Sequence, residues 1–316
     1  MLAWLDERQV GAYLGAIALG LVVAHLPGAD GLSVLVTPIL VALLFATFLT
    51  LPLTTLRIDV RFTALVLGVN FLVVPLLVAA LTLPVRGDLR FFVPVLIVLL
   101  SPCVDYVVSF TGLAGGARNK LLGLTPIMLL GQMLLLPGYL RIFLGEDAPQ
   151  VVAPGPFLNA LVWMLLIPVV GAFIVQVLAG RSAPAQRVAR LADEIMVPLM
   201  MLTLFVVVAA YAGQVTQHLS ELALTLGIYV LFAVVMNLVG VVASKLAGFT
   251  YRDGVAVTFA VTTRNSLIVL PFILALGEGY EIAPVVVVAQ TLIELCVMVV
   301  MVKMYPDLHK RTRWWA

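Results

Sequence analysis

The sequence predicts an all-α polytopic membrane protein with ten transmembrane helices arranged as a five-plus-five inverted repeat. Three observations carry this. Hydrophobic residues make up 63% of the chain and charged residues 11%, a balance that no ordinary soluble domain shows. Apolar runs of about twenty residues recur from end to end, each long enough to cross a bilayer core. The basic residues divide unequally between alternate connections.

The spans fall at 9–27, 32–54, 62–84, 91–113, 119–140, 157–179, 193–215, 219–246, 253–277 and 282–304. With the N-terminus placed in the cytoplasm, fourteen Lys and Arg residues lie inside, from Arg8 to Arg313, and only Arg86, Arg90 and Arg141 lie outside. Adding or deleting one span destroys that partition, so the expected protein is a multi-pass cell-membrane protein with both termini cytoplasmic. The longest polar connections are 145–156 and 180–191. The first divides the chain into a repeat at 1–144 and another at 157–304, followed by a cytoplasmic tail at 305–316. An odd number of spans in each half inserts the halves in opposite senses, so the repeat is inverted, as in many secondary transporters. An offset of about 162 residues sets Cys103 on Asn265, Pro102 on Arg264 and Gln132 on Glu294, and one of 160 sets Pro38 on Pro198.

Composition and motif content exclude several functions. There is no phosphate loop, zinc motif or nucleic-acid-binding surface, so the chain is not expected to burn ATP or bind nucleic acid. A cleavable signal peptide is not expected, since no small-residue cleavage pattern follows the first apolar run. The two cysteines, Cys103 and Cys296, lie inside apolar runs and imply no disulfide framework. An intramembrane protease needs two aspartates, a Ser/His pair or a zinc motif at membrane depth. With one aspartate and no histidine there, the chain is not expected to be an enzyme. His25, His218 and His309 sit near span ends, and Trp4 and Trp314-Trp315 fit interfacial anchors.

The polar residues at mid-depth are the functional candidates. In the fourth span, Ser101-Pro102-Cys103-Val104-Asp105 falls about ten residues in. Proline there removes a backbone donor and interrupts the helix. Asp105 carries an insertion cost of about 2.5–3.5 kcal/mol unless paired or wet. The ninth span holds Thr262-Thr263-Arg264-Asn265-Ser266 at the matching depth, where side chains that compete for backbone groups open the helix. Arg264 is too deep to snorkel and keeps its proton, so it needs an anion: Asp105, Glu294 or a bound substrate. An Asp105–Arg264 pair is either a static lock or a gate that a ligand opens by taking over the guanidinium donors. In the tenth span Gln290 and Glu294 share one helix face, and Glu294 is either a proton carrier or an interhelical strut. Cys103 is either a small apolar filler or a soft ligand at the break, whereas Cys296 lies on another face and packs. Gln132, with Thr125, stands between packing and the site; Asn70, Asn237 and Gln214 fit helix–helix contacts or interfaces. The glycines of Thr111–Gly116 terminate a helix more readily than they cradle phosphate.

On these residues the chain resembles the arsenical-resistance permeases of the bile acid/sodium symporter superfamily. The likeness covers nearly the whole length and is most specific at Pro102-Cys103 and at Leu292-Ile293-Glu294-Leu295. It implies that the interrupted fourth and ninth spans cross near the centre, and that Cys103 and Glu294 are functional. It also implies efflux of arsenite, and sometimes antimonite, in exchange for protons. The chain departs from that pattern where Val104-Asp105 follows Pro-Cys in place of Thr, and where no acid follows the ninth-span break. The span-nine Glu and Gln that hold sodium in the importing relatives are absent, and a fixed guanidinium in their place repels sodium or stands in for its charge. The expected protein is therefore a proton-driven arsenite exporter without a cofactor or metal, sodium being disfavoured. Cys103, Arg264, Asn265, Ser101 and Ser266 would meet substrate. Glu294 and Asp105 would share the proton work, with Pro102, Gln290, Gln132 and Thr263 in support. A symporter of a small organic anion, clamped by Arg264, is the alternative. The expected partners are the substrate and the bilayer, with homo-oligomerisation open.

Overall fold

The regular elements are all helices among the residues that the computed structural model describes, 9–50, 58–104, 106–145, 161–276 and 278–312. In order they are α1 (Gln9–Val23), α2 (Ser33–Thr50, entered through a 3-10 turn at Ala29–Leu32), α3 (Val60–Leu81), α4 (Leu89–Leu99), α5 (Tyr106–Leu113) and α6 (Arg118–Leu144). Then come α7 (Ile167–Ala179, entered through a π turn at Leu161–Leu166), α8 (Ala183–Gln217), α9 (Leu219–Leu246), α10 (Tyr251–Thr262), α11 (Ser266–Leu274) and α12 (Ala283–Thr312). Six of them, α2 with its entry turn, α3, α6, α8, α9 and α12, are long and apolar enough to cross a membrane. This marks a helical membrane protein.

Burial runs opposite to that of a soluble fold. Leu134 and Leu246 are 79% and 84% exposed, while the largest fully buried side chain is Arg264. Large exposed aliphatics at this frequency suit a lipid solvent and no other. Some of the helices start where a short polar side chain takes an orphan amide. Asp59 accepts from the Phe62 N–H at the head of α3 (3.1 Å), and Asp88 from the Arg90 N–H at the head of α4 (3.1 Å). Several helices carry internal prolines, Pro38, Pro94, Pro126, Pro137, Pro198, Pro271 and Pro306 among them, as membrane helices tolerate when surrounding groups re-satisfy the freed carbonyls. Gly240 lets α9 lie directly on α10; a Cβ there would meet Thr258 Cα at 2.8 Å.

The helices pack in two sets. α1, α2 and α7 gather with α8, which touches all three. α3, α4, α5, α6, α9, α10, α11 and α12 form the other set, with α12 touching α4, α5, α9, α10 and α11, and the sets are joined where α8 packs on α12 and α2 on α11. Two boundaries differ from the sequence expectation. α8 begins at Ala183, inside the expected polar connection at 180–191, because Ala183-Pro184 can open a helix and nothing after it breaks one. α12 runs on to Thr312, beyond 304, because Tyr305 is buried and donates its hydroxyl to Asn237 Oδ1 (3.0 Å). Of the expected outer connection at 145–156, residues 146–156 lie outside the described residues.

Three helix starts are tied together at one face. Lys120 Nζ reaches Asp59 Oδ2 (2.8 Å) and Asp253 Oδ2 (2.9 Å), and the Ala117 amide donates to the Arg252 carbonyl (2.8 Å). Arg61 donates to the Ala247 carbonyl beside them. The Lys120 hydrogen bond, helped by the Phe62 amide, holds the Asp59 carboxyl below its ordinary value. A depressed carboxyl stabilises the fold above its unfolded value near 3.8 and loses that contribution as pH falls through the folded value. Lys120→Met should therefore lower stability at pH 7 by about 0.5–1 kcal/mol, since the partners are a third exposed and screened. In thermal melts in detergent the gap to wild type should close in acid, below pH 3.8. A gap of constant size across that range would refute the role given to Lys120.

Candidate functional site

The two broken helices meet at their breaks. α4 ends at Leu99 and α5 begins at Tyr106; α10 ends at Thr262 and α11 begins at Ser266. Between them the segments 101–103 and 263–265 run antiparallel and form a bridge at Pro102 and Arg264. The Asn265 amide donates to the Ser101 carbonyl (2.7 Å) and the Cys103 amide to the Thr263 carbonyl (3.3 Å). Pro102 and Arg264 lie opposite each other between these bonds, in the position where the facing residues exchange none. The amide that proline lacks is thus one the ladder does not use. The same geometry leaves the Arg264 N–H free of the ladder, and it donates to Glu294 Oε2 (2.7 Å).

The Arg264 side chain is fully buried and is held by neutral oxygens. Nη1 donates to the Leu99 carbonyl (3.2 Å); Nη2 donates to the Val261 carbonyl (2.5 Å) and to Asn70 Oδ1 (2.8 Å). Leu99 closes α4 and Val261 stands one residue before the end of α10, so the guanidinium meets the negative ends of two half-helices. Phe232 covers it, with Cζ 5.1 Å from the ring centroid. Asn70 is set by a π turn at Val69–Val73, and its Nδ2 donates to the Val66 (3.0 Å) and Ala260 (3.3 Å) carbonyls. Among the described residues no carboxylate lies within ion-pair distance of the guanidinium. Asp105, the expected partner, lies outside the described residues.

Glu294 is 4% exposed and receives three donors. Oε2 accepts from the Arg264 amide and from Gln290 Nε2 (2.5 Å), the residue one helical turn away; Oε1 accepts from the Tyr106 hydroxyl (2.9 Å). The carboxylate thereby joins α12 to both breaks. Asn265 caps α11 through Oδ1, which accepts from the Ile268 amide (3.2 Å), and its buried Nδ2 has no partner. Ser266 Oγ takes a contact from the Thr291 hydroxyl at 3.0 Å, and Ser101 Oγ donates to the Ile97 carbonyl (2.6 Å). Thr263 likewise bonds back to Phe259 (2.8 Å). Cys103 is 1% exposed at the crossing, whereas Cys296 is exposed on α12. Gln132 is buried in α6 with Oε1 unpartnered, and among the described residues no hydrogen bond joins it to the breaks.

A cavity of about 200 Å³ lies between the two helix sets and reaches the first break. Val104, Tyr106 and Ser109 line one wall, and Thr47, Met196 and Met200 the other; Arg118 and Asp193 add charge. A scan against models of protein families finds no match to the chain, and no curated protein matches it.

Sequence reasoning brought together Cys103, Pro102, Arg264, Asn265 and Glu294, which the structure places within one hydrogen-bonded crossing. It missed Tyr106, Asn70 and Met196 as parts of the same region. Tyr106 was accessible by its place just past the break. Asn70 was visible as a lone polar residue in mid-span, but not as the acceptor for Arg264.

Proposed function

We propose that the protein is a secondary transporter that exports arsenite, with antimonite a second substrate, in exchange for protons. The observation that carries this reading is the pairing of two helix breaks around a buried guanidinium, with Glu294 bonded to the crossing and to Tyr106 on the wall of a cavity between two helix sets. In this reading the twelve helices are ten spans, α4–α5 and α10–α11 each being one interrupted span, and the halves are an inverted five-plus-five repeat. Broken helices at mid-depth place half-helix ends where a substrate can meet them. The side of the cavity bearing Arg118 is the cytoplasmic side by the basic-residue partition. Transport is then a movement of one helix set against the other.

Arsenite is favoured by soft donors and by the resemblance at Pro102-Cys103. Cys103 is buried at the crossing, one residue before Val104 on the cavity wall, and Met196 and Met200 line the same cavity with soft thioethers. The Asn265 amide and the Ser266 hydroxyl offer hydrogen bonds to the oxygens of a hydroxylated arsenic species. Arg264 enters as a fixed positive charge and not as a bidentate clamp, since both Nη2 hydrogens and one on Nη1 are committed to protein oxygens, which leaves Nε–H without an Nη2 neighbour to pair with it on a carboxylate. That commitment weighs against the organic-anion reading, which needs those donors for a carboxylate.

Cys103→Ala separates the two readings. The Cys103 backbone bond to the Thr263 carbonyl survives the substitution, so the variant should still fold, with stability changed by about 1 kcal/mol. Cells dependent on the transporter should lose arsenite resistance, with efflux down at least about tenfold. Efflux at the wild-type rate in a normally folded Cys103→Ala variant would remove the thiol from the mechanism.

A further inference from the structure

Glu294 also lines a second and much smaller cavity with about 10 Å³ of free volume. That is room for one water molecule. Three buried polar atoms without a protein partner belong to its walls: the Tyr229 hydroxyl, Thr262 Oγ1 and Gln290 Oε1. Their residues are 2%, 3% and 4% exposed, and Glu294 completes the wall. Each unpartnered atom carries a desolvation penalty that one bridging water removes. Gln290 Oε1 can only accept, because its Nε2 is fixed on the carboxylate; the two hydroxyls can donate or accept. One water, with two hydrogens to donate and two lone pairs, has the capacity to bond to all three.

We propose that this cavity holds one water molecule through which Glu294 gains and loses its proton. The proposal rests on the reading of Glu294 as the proton carrier. The carboxylate faces two spaces, with Oε1 turned through Tyr106 toward the larger cavity and Oε2 turned through Gln290 toward the smaller. Substrate and proton thus reach the crossing by different routes. Oε2 already accepts from the Arg264 amide and from Gln290 Nε2, so an arriving proton displaces the Gln290 NH2. A half-turn of that carboxamide presents its oxygen to the new O–H and its nitrogen to the water. In the transfer one O–H bond of a hydronium ion breaks and one forms on Oε2, leaving water; release is the reverse, and no electrons move. Gln290 is a positioning residue in this scheme, and Tyr229 and Thr262 hold the water.

Two measurements on the full chain in lipid nanodiscs test it. A density map that resolves buried waters should show one peak within hydrogen-bond distance of the Tyr229, Thr262 and Gln290 oxygens. Infrared spectroscopy should follow hydrogen–deuterium exchange of the Glu294 carboxyl, its band identified by loss in Glu294→Gln. Thr262→Val and Tyr229→Phe keep the shape of the wall and should each slow that exchange by at least about tenfold. Thr262→Ser, which keeps a hydroxyl, should exchange at the wild-type rate and controls for packing. An empty cavity, a peak with the many short oxygen contacts of a metal cation, or wild-type exchange in both hydroxyl-deleted variants would overturn the proposal. Neither readout uses arsenite, so a wild-type protein that fails to move arsenite sinks the transport reading and leaves this one standing on its own result.

Discussion

Arg264→Met should be the most destabilising single substitution at the crossing, at about 3–5 kcal/mol, set by the buried acceptors it leaves without a donor. Methionine fills much of the space but donates nothing. Leu99 O, Val261 O and Asn70 Oδ1 would then lose the donors that hold them, at about 1–3 kcal/mol for each acceptor left dry. Relief from burying a guanidinium offsets part of this, which is why the total falls below the sum. Arg264→Lys should land between the two, because a point ammonium cannot span the two helix ends and Asn70 as a planar fork does. Intrinsic-fluorescence melts in a mild detergent read the effect directly. An Arg264→Met protein as stable as wild type would show that the two half-helix ends do not depend on the guanidinium.

Glu294→Gln should do the reverse, leaving the fold intact and stopping proton-coupled transport. The amide oxygen of glutamine can take the donors from Arg264 and Gln290, and its NH2 can face Tyr106, whose hydroxyl then accepts. Stability should change by about 1 kcal/mol or less. Coupled flux should fall at least about 100-fold, the scale on which proton-transfer groups act in enzymes. Pairing melts with flux in proteoliposomes distinguishes this from unfolding. A stable Glu294→Gln protein that still couples flux to protons would move the proton work elsewhere.

Much of this site was legible in the sequence because its parts violate the apolar pattern. Pro102 and the Thr-Thr-Arg-Asn-Ser run announce breaks at matching depth, since each removes or diverts backbone hydrogen bonds in a place with no water to replace them. The spacing of Gln290 and Glu294 places them one turn apart, and their side chains do bond. What stayed hidden is pairing across the chain. Arg264 invites a search for a carboxylate, yet among the described residues its side-chain acceptors are carbonyl oxygens, two at helix ends and one on an asparagine, which together supply negative character to hold it. Asn70 is 194 positions away and depends on a π turn that no local pattern announces. The offset that sets Gln132 on Glu294 compares positions, not environments, and Gln132 has none of the hydrogen bonds that Glu294 makes. The small cavity lined by Glu294 exists only once α9, α10 and α12 are packed.

The most direct test of the account is arsenite uptake into inside-out membrane vesicles containing the protein, with a proton gradient imposed, acid inside, in sodium-free buffer. Uptake should exceed that of vesicles lacking the protein, collapse with a protonophore and be indifferent to added sodium. Absence of uptake under any proton gradient, or uptake that requires sodium, would contradict proton-coupled arsenite export.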